Sequence, residues 1–295
     1  NPRRFVLLPG IAKQNYEALC AKQQDFADLS DNTPFNLYFE GTDKSKGLIC
    51  TGLAFNYVQE AFAGKCPFPL LKISQYPLPV KKLSKIFNEC AEIYVIEEGM
   101  PFVEQQLRGP LGDSRIKGRL TGELPRTGEL NPGIIMKAFG LSVSEQGAVS
   151  ELLALRPPRL CDGCPHHDTF EALNEARKSF PSTEIFGDIG CYTLAALPPY
   201  NALSSCVDMG ASISMAKCAA DAGLDTAVAV IGDSTFTHSG MTSLLDAIWS
   251  NAAITVVILD NSTTGMTGGQ TSLGSGRIDE ICIGLGVPAE QIKTI

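Results

Sequence analysis

The feature that most constrains this 295-residue chain is a pair of polar turns at the two ends of one β-α-β unit. Gly232-Asp233-Ser234 follows an apolar run at 226–231, and Asp260-Asn261 follows another at 254–259. Residues 239–251 between them have helical spacing. The apolar side chains on the expected face of that helix are Met241, Leu244, Leu245, Ile248 and Trp249. Because the strands of such a unit are parallel, we expect Asp233 and Asn261 to meet at one sheet edge.

The residue types at these two turns are suited to a magnesium ion. Asp233 offers a carboxylate, Asn261 an amide oxygen, and Thr263 a backbone carbonyl two residues further on. Such a sparse oxygen set leaves coordination positions for phosphate oxygens and water, as Mg²⁺ requires. Ligands also bind at the carboxyl edge of open α/β sheets. Each turn taken alone is more often an ordinary turn, so the prediction of a metal–diphosphate site depends on their separation.

The coarse pattern of the chain predicts two parallel-sheet α/β domains in series. Residues 1–45 form a lead-in with one amphipathic helix near 12–29, and residues 46–150 form the first domain. In that domain strands at 47–52, 70–74 and 93–98 alternate with helices at 54–62 and 80–90. An irregular segment rich in Gly and Pro spans 108–133, and a short helical segment covers 133–153.

The second domain is predicted to span residues 151–295. Asp168 and Glu171 have the spacing of a capping box, which predicts a helix from Asp168 to residue 180. Strands at 184–188, 226–231 and 254–259 follow, with helices at 211–222 and 239–251 between them. The alternation again favours a parallel sheet covered on both faces.

Charge and composition exclude some classes of partner. The net charge is -8 and no run of Lys or Arg occurs, which argues against nucleic-acid binding. No apolar stretch is as long as a membrane span, so a soluble chain is expected. Ten cysteines without a signal-peptide pattern favour a reducing cytoplasm. The chain begins at Asn1 rather than Met, and we expect it to be a fragment of a longer protein.

Several motifs carry a resemblance to a known family. GDS at 232–234 with DN at 260–261 resembles the thiamine diphosphate motif, Gly-Asp-Gly followed by Asn-Asn, from which Ser234 and Asp260 depart. Four segments are similar to the pyrophosphate domain of the indolepyruvate ferredoxin oxidoreductase alpha subunit: CDGCPHH at 161–167, GDIGCYTL at 187–194, DMGASI at 208–213 and DNSTTGMTGGQ at 260–270. TGLAFNYV at 51–58, YPLP at 76–79 and VIEEGMPFVE at 95–104 resemble, more weakly, the transketolase C-terminal-type domain of that subunit.

The resemblance implies an activity and its partners. Such an enzyme uses thiamine diphosphate and Mg²⁺ to decarboxylate an aryl 2-oxoacid oxidatively, with coenzyme A and ferredoxin as further substrates. It implies a beta subunit and an oligomer. The family's pyrimidine-binding domain and ferredoxin-like cysteine runs do not occur in this sequence, so we expect the 295 residues to be inactive alone.

The resemblance also assigns roles to individual residues. Asp233, Asn261 and the Thr263 carbonyl would hold Mg²⁺, and His166 or His167 would face the thiazolium or the substrate. The predicted cofactor-binding residues are Gly187, Asp188, Ile189, Gly190, Cys191, Met209, Gly210, Gly232, Asp233, Ser234, Asn261, Thr263, Thr264, Gly265 and Met266. For His238, which follows the Asp233 turn, a phosphate contact and an ordinary position at the start of a helix both stay open.

Three cysteines are candidates for an iron–sulfur cluster. Cys161, Cys164 and Cys191 are expected to converge near the cofactor and could ligate a [4Fe–4S] cluster in the full-length protein, as in related pyruvate-type enzymes. No fourth ligand is evident, because Cys282 lies in an apolar helical segment. The alternative is that these are small thiols shaping the pocket; zinc is a lesser option, since CxxC lacks a second pair.

Two other functions are weighed against this one. A non-redox thiamine diphosphate decarboxylase or carboligase would share the magnesium motif, although the CxxCPHH and GDIGCY segments argue against it. A cysteine-based redox or metal-binding structural module, in which GDS and DN are incidental, would not bind thiamine diphosphate.

Overall fold

Each of the two compact units of this chain, Asn1–Val149 and Ser150–Ile295, contains its own mainly parallel β-sheet. The computed structural model describes residues 5–143, 152–154 and 156–295. The predicted fold class, two parallel-sheet α/β units in series, is confirmed. Within the described residues, no helix combines the length and apolar character needed to cross a membrane.

The first unit alternates strands and helices after two N-terminal helices. Its elements are α1 Pro9–Ala21, α2 Gln23–Asn32, β1 Leu37–Phe39, β2 Lys46–Thr51, α3 Ala54–Ala61, β3 Leu70–Ile73, α4 Val80–Glu89, β4 Glu92–Ile96, α5 Phe102–Arg108, β5 Ile116–Lys117 and α6 Pro132–Ala138.

The first sheet has the strand order β1-β3-β2-β4-β5. β2, β3, β4 and β5 are parallel, and β1 is antiparallel to β3. Neighbouring residues of β2 enter different cores: Leu48 packs in one with Val58 of α3, and Ile49 in the other with Ile86 of α4. A sheet buried on both faces explains why its strands are continuous apolar runs rather than alternating ones.

The lead-in differs from its prediction in two ways. It contains two helices instead of one over 12–29, because Lys22 ends α1 and precedes α2. It also supplies β1, which was not predicted. Buried Asn36 fixes this strand, since its side-chain oxygen accepts the backbone N–H groups of Ser74 and Gln75 at 2.8 and 2.9 Å. The helix predicted over 133–153 is shorter in the structure, Pro132–Ala138, because the chain leaves the helix at Phe139 and residues 139–143 and 152–154 are not helical; the part of the prediction over 144–151 lies outside the described residues.

The second unit has the same alternation with more irregular turns. Its elements are α7 His166–Arg177, β6 Thr183–Gly187, a 3₁₀ turn Cys191–Ala196, β7 Ser205–Cys206, α8 Ala211–Asp221, β8 Thr226–Gly232, a helical turn Asp233–Thr235, a π-helical turn Phe236–Gly240, α9 Met241–Trp249, β9 Ile254–Leu259, β10 Thr263–Thr264, a 3₁₀ turn Gly265–Thr267, β11 Gln270–Thr271, α10 Ile278–Leu285 and a 3₁₀ turn Ala289–Gln291.

The second sheet is parallel throughout, in the order β7-β6-β8-β9. β8 is its most buried strand: Val228 packs on the side of Phe170 in α7, and Ala229 packs on the side of Ile213 in α8. β10 and β11 form a separate antiparallel hairpin. The register pairs Gly232 with Leu259, so the polar residues that follow β8 and β9 emerge side by side.

Two predictions for helices of the second unit are wrong. The helix predicted to start at Asp168 begins at His166, because Pro165 precedes it with a helical backbone, and no side chain caps it. In α9 only Leu244 and Ala247 are buried, whereas Leu245 is 49% exposed and Trp249 is 88% exposed. The apolar stripe of this helix is wider than the surface against which it packs.

Candidate cofactor site

The turns after β8 and β9 form one wall of a cavity of about 210 Å³ in the second unit. Asp233 and Asn261 both line it, as do Ser234 and Thr264. The hydroxyl groups of Ser234 and Thr264 share a hydrogen bond of 2.7 Å, which joins the β8 turn to the β9 turn. The structure thus brings the two sequence turns into one site, at the carboxyl edge of a parallel sheet.

Asp233 is the most unusual group at this site. It is only 3% exposed. Its Oδ1 accepts the Ser234 N–H at 2.6 Å, but among the described residues Oδ2 has no hydrogen-bond partner. Burial, followed by the neighbouring Asp260 carboxylate, raises the pKa of Asp233. A buried carboxylate oxygen without a partner is costly, and either a bound proton, which the raised pKa favours, or a bound cation offsets that cost.

The chain after β9 forms a compact polar turn. Asp260 Oδ1 accepts the Ser262 N–H at 2.9 Å, and Asn261 Oδ1 accepts the Thr263 N–H at 3.2 Å. Ser262 has a φ of 58°, in the left-handed region. An amide oxygen has two lone pairs, so Asn261 Oδ1 retains acceptor capacity for a ligand.

A small hairpin borders the cavity beyond this turn. β10 and β11 pair Thr263 with Thr271 and Thr264 with Gln270. The connecting residues Gly265 and Met266 also line the cavity, and the Met266 side chain is exposed. Most of this hairpin belongs to the DNSTTGMTGGQ segment at 260–270, one of the four segments that carry the family resemblance.

Tyr192, a residue not among those predicted for the site, also lines the cavity. A Cβ added to Gly190 would lie 2.2 Å from Tyr192 Cε1, and one added to Gly232 would lie 2.8 Å from the same atom. Glycine at both positions lets the ring sit between the two turns. Burial raises the pKa of Tyr192 to about 12, so its hydroxyl stays protonated.

Three residues predicted to bind the cofactor lie outside the cavity lining and contact other parts of the unit. Asp188 is fully buried and bonds to the start of α8: Oδ1 accepts the Ser212 N–H at 2.9 Å and Oδ2 accepts the Ser212 hydroxyl at 2.5 Å. Burial raises the pKa of Asp188. Gly187 packs against Leu203, and Gly210 packs against Ser239. All three lie outside the set of residues that lines the cavity.

The two adjacent histidines differ in position. His166 is buried on the cavity wall, with Nδ1 3.7 Å from the Cys191 sulfur. Burial, followed by the nearby His167, lowers the pKa of His166. His167 lies outside the cavity lining; its Nδ1 hydrogen-bonds the Tyr200 hydroxyl and its Nε2 lies 2.9 Å from the Cys161 carbonyl oxygen. Assigning both histidines to one catalytic role is therefore not supported.

The predicted cluster ligands are neighbours without forming a metal-binding group. Burial, followed by the charge of Cys164 and, more weakly, of Cys161, raises the pKa of Cys191. Within residues 5–143, 152–154 and 156–295, however, no three His, Cys, Asp or Glu side chains are arranged to hold a metal ion. His238 is exposed, and its Nδ1 lies 3.1 Å from the Ser239 hydroxyl. It does not line the cavity.

The rest of the lining mixes residues that were predicted and residues that were missed. Predicted residues found on the lining are Ile189, Gly190, Cys191, Met209, Gly232, Asp233, Ser234, Asn261, Thr263, Thr264, Gly265 and Met266, together with His166. Missed residues are Tyr192, Thr235, Leu259 and Thr267. Each missed residue lies within two positions of a predicted one, so closeness to the motifs was the available signal.

Known proteins with similar sequences agree on one family. Residues 188–280 match the family described as thiamine pyrophosphate enzyme, C-terminal TPP binding domain. The indolepyruvate oxidoreductase subunit IorA of Archaeoglobus fulgidus is 34% identical over 99% of this chain and 51% of its own length. The IorA subunits of Methanothermobacter thermautotrophicus and Pyrococcus abyssi are also 34% identical, over 93% and 94% of this chain and 47% of their own lengths.

The chain therefore spans about half the length of the curated relatives it matches. Over the part of those relatives that this chain matches, the predicted resemblance to the indolepyruvate oxidoreductase alpha subunit is confirmed. Among solved structures, a 2-oxoglutarate:ferredoxin oxidoreductase from Magnetococcus marinus is 20% identical with a TM-score of 0.35, covering 44% of this chain and 48% of its own. That similarity is too low to support an inference.

Proposed function

We propose that this chain, a relative of the IorA subunits of indolepyruvate oxidoreductases, supplies the magnesium and diphosphate half of a thiamine diphosphate site. The enzyme containing it would decarboxylate an aryl 2-oxoacid of the indolepyruvate type oxidatively. Coenzyme A, ferredoxin and a beta subunit would be its further partners, in an oligomer. The names of the relatives favour this activity over a non-redox decarboxylase.

The single observation that carries the proposal is the buried Oδ2 of Asp233, which has no hydrogen-bond partner in the part of the chain that the structure describes. A carboxylate oxygen at the carboxyl edge of a parallel sheet, beside the amide oxygen of Asn261, fits a hard divalent cation. These two oxygens would suit a Mg²⁺ ion that lies between the protein and a diphosphate. Asp233 Oδ2, Asn261 Oδ1 and the Thr263 carbonyl are the groups that would hold the ion.

When bound, thiamine diphosphate would supply the carbanion-stabilising chemistry needed for loss of CO₂. The residues of this chain would bind it, orient it and keep water from it. The Ser234–Thr264 hydrogen bond joins the two turns that would hold the ion. Ile189, Met209 and Met266 give the cavity an apolar side against which an aromatic ring can lie.

His166 is the residue of this wall best suited to accept a proton. Its lowered pKa keeps the imidazole neutral at neutral pH, so a ring nitrogen is free to act as an acceptor. We leave His167 out of this role, because both of its ring nitrogens face groups of the protein. A [4Fe–4S] cluster at Cys161, Cys164 and Cys191 is also left out, since the described residues lack a metal-holding arrangement there.

Calorimetric titration of thiamine diphosphate in the presence and absence of Mg²⁺ tests the proposal. The wild-type chain should bind only with Mg²⁺, and Asp233→Ala should weaken binding by at least about 100-fold, because the ion loses its charged protein ligand. The matched control is Asp225→Ala, which removes an exposed carboxylate on the same unit. Binding by Asp233→Ala with the affinity of the control would refute the assignment.

A further inference from the structure

The segment before α7 brings two thiols together in a tight turn. The Cys164 N–H donates to the Cys161 carbonyl at 3.1 Å, and Gly163 has a φ of 75°. The first and last Cα atoms of a β-turn lie less than about 7 Å apart. A disulfide joins Cα atoms separated by about 4.4–6.8 Å. The turn therefore holds the Cα atoms of Cys161 and Cys164 at about the separation that a disulfide requires.

The surroundings of the turn favour reaction with a molecule from solution. Cys161 is exposed and Cys164 is half-buried; both are free thiols. The His167 ring holds the turn in place, through its contact with the Cys161 carbonyl oxygen and its hydrogen bond to the Tyr200 hydroxyl. An accessible first thiol with a second thiol behind it is the arrangement of reactive CxxC pairs that precede a helix.

The same cysteines do not make a cluster site by themselves. Cys191 is the nearest third thiol; its sulfur faces His166, and burial raises its pKa. Within the described part of the chain, no three ligating side chains converge on a metal position. The geometry thus favours two-thiol chemistry at Cys161 and Cys164 over three-thiolate ligation.

We propose that Cys161 and Cys164 form a dithiol that small-molecule disulfides oxidise reversibly to an intrachain disulfide. The Cys161 thiolate attacks the oxidant R–S–S–R, forming a mixed disulfide and releasing one R–SH. The Cys164 thiolate then attacks the Cys161 sulfur, which closes the intrachain bond and releases the second R–SH. Two electrons and two protons pass from the protein to the oxidant. The site does not depend on the proposed cofactor.

Peptide mass spectrometry of the 295-residue chain tests the proposal. Trypsin releases residues 160–177, whose cysteines are Cys161 and Cys164 alone. After oxidised glutathione, this peptide should lose the mass of two hydrogen atoms, and its alkylation by iodoacetamide should fall about tenfold. Dithiothreitol should restore both. The matched control is exposed Cys218 on α8, which should carry a single glutathione.

A second variant traps the intermediate. In Cys164→Ser the mixed disulfide at Cys161 has lost its partner in the turn, so glutathione should stay attached to Cys161; the double variant Cys164→Ser with Cys191→Ser excludes resolution by the third thiol. Three results would overturn the proposal. These are two glutathiones on the wild-type peptide, two free thiols after oxidation, or iron and sulfide that copurify with the chain and disappear in Cys161→Ser.

Discussion

Two Gly-Asp pairs follow neighbouring strands of the second sheet, yet their carboxylates differ in what they bind. Asp188 follows β6, and both of its oxygens accept hydrogen bonds from Ser212 at the start of α8. Asp233 follows β8, and its Oδ2 has no partner among the described residues. Both are buried. The same dipeptide in the same position therefore closes a helix end in one case and leaves an oxygen available for a cation in the other.

The largest expected loss of stability follows from substitution of Asp188. Asp188→Ala removes the acceptor for a buried N–H and a buried hydroxyl. The free energy of unfolding of the second unit should therefore fall by about 3 kcal/mol. Urea unfolding, followed by hydrogen exchange of peptides from that unit, measures it. The exposed control Asp225→Ala should change the free energy by less than about 0.5 kcal/mol. Equal effects of the two substitutions would mean that Asp188 does not hold α8.

The second-largest expected effect is the difference in stability between alanine substitutions of Gly232 and Gly187, the glycines that precede the two aspartates. Gly232→Ala places a Cβ 2.8 Å from the Tyr192 ring, which is confined between two turns, so a loss of about 2 kcal/mol is expected. Gly187→Ala places a Cβ 2.8 Å from the end of the Leu203 side chain, which can turn aside, and 3.2 Å from the Ser205 carbonyl oxygen, and it should lose about 1 kcal/mol. The midpoints of thermal unfolding of the two variants measure this difference. Gly284→Ala, in open space within α10, is the control and should stabilise the chain slightly.

Asp233 should behave in the opposite way to Asp188. In the absence of Mg²⁺, Asp233→Asn removes an unpaired buried charge and should raise the free energy of unfolding by about 1 kcal/mol. With Mg²⁺ and thiamine diphosphate present, the order should reverse, because only the wild type gains stability from the bound ligand. A loss of stability in the absence of the ion would show that Asp233 is a structural group like Asp188.

The pH dependence of that difference is the smallest effect expected. The pKa of Asp233 is raised in the folded chain, so the folded state binds the proton more tightly than the unfolded state. The stability that Asp233 gains from its bound proton is fully present below the ordinary Asp pKa of about 3.9. It is lost as the pH rises through the higher pKa of Asp233 in the folded chain. The advantage of Asp233→Asn should therefore grow between pH 4 and neutrality. A constant difference across that range would contradict the raised pKa.

The sequence predicted the position of Asp233 because that position depends on local pattern. Two apolar strands with a helix between them define a sheet edge, whatever the rest of the chain does. The role of Asp188 depends on Ser212, which follows a second strand and comes near only in the folded unit. His167 is a similar case, since its partner Tyr200 lies far along the chain. Pairings of this kind leave no local signal.

Helix faces were predicted less well than strands for a related reason. The strand β9 was predicted with its observed bounds, because its apolar run is unambiguous even though it is a partly buried edge strand. In α9 the apolar residues Leu245 and Trp249 extend beyond the packed stripe. Helical spacing identifies which residues share a face but not how much of that face a neighbour covers.

The hydrogen bond between Ser234 and Thr264 has a consequence for how this wall of the cavity moves. It joins the turn after β8 to the hairpin β10–β11, so the two segments open together rather than one at a time. Such loop opening occurs on the nanosecond to microsecond scale, and breaking one neutral hydrogen bond adds only about 1 kcal/mol to it. Amide protons on the two segments should therefore exchange with solvent at correlated rates, and Ser234→Ala should uncouple them.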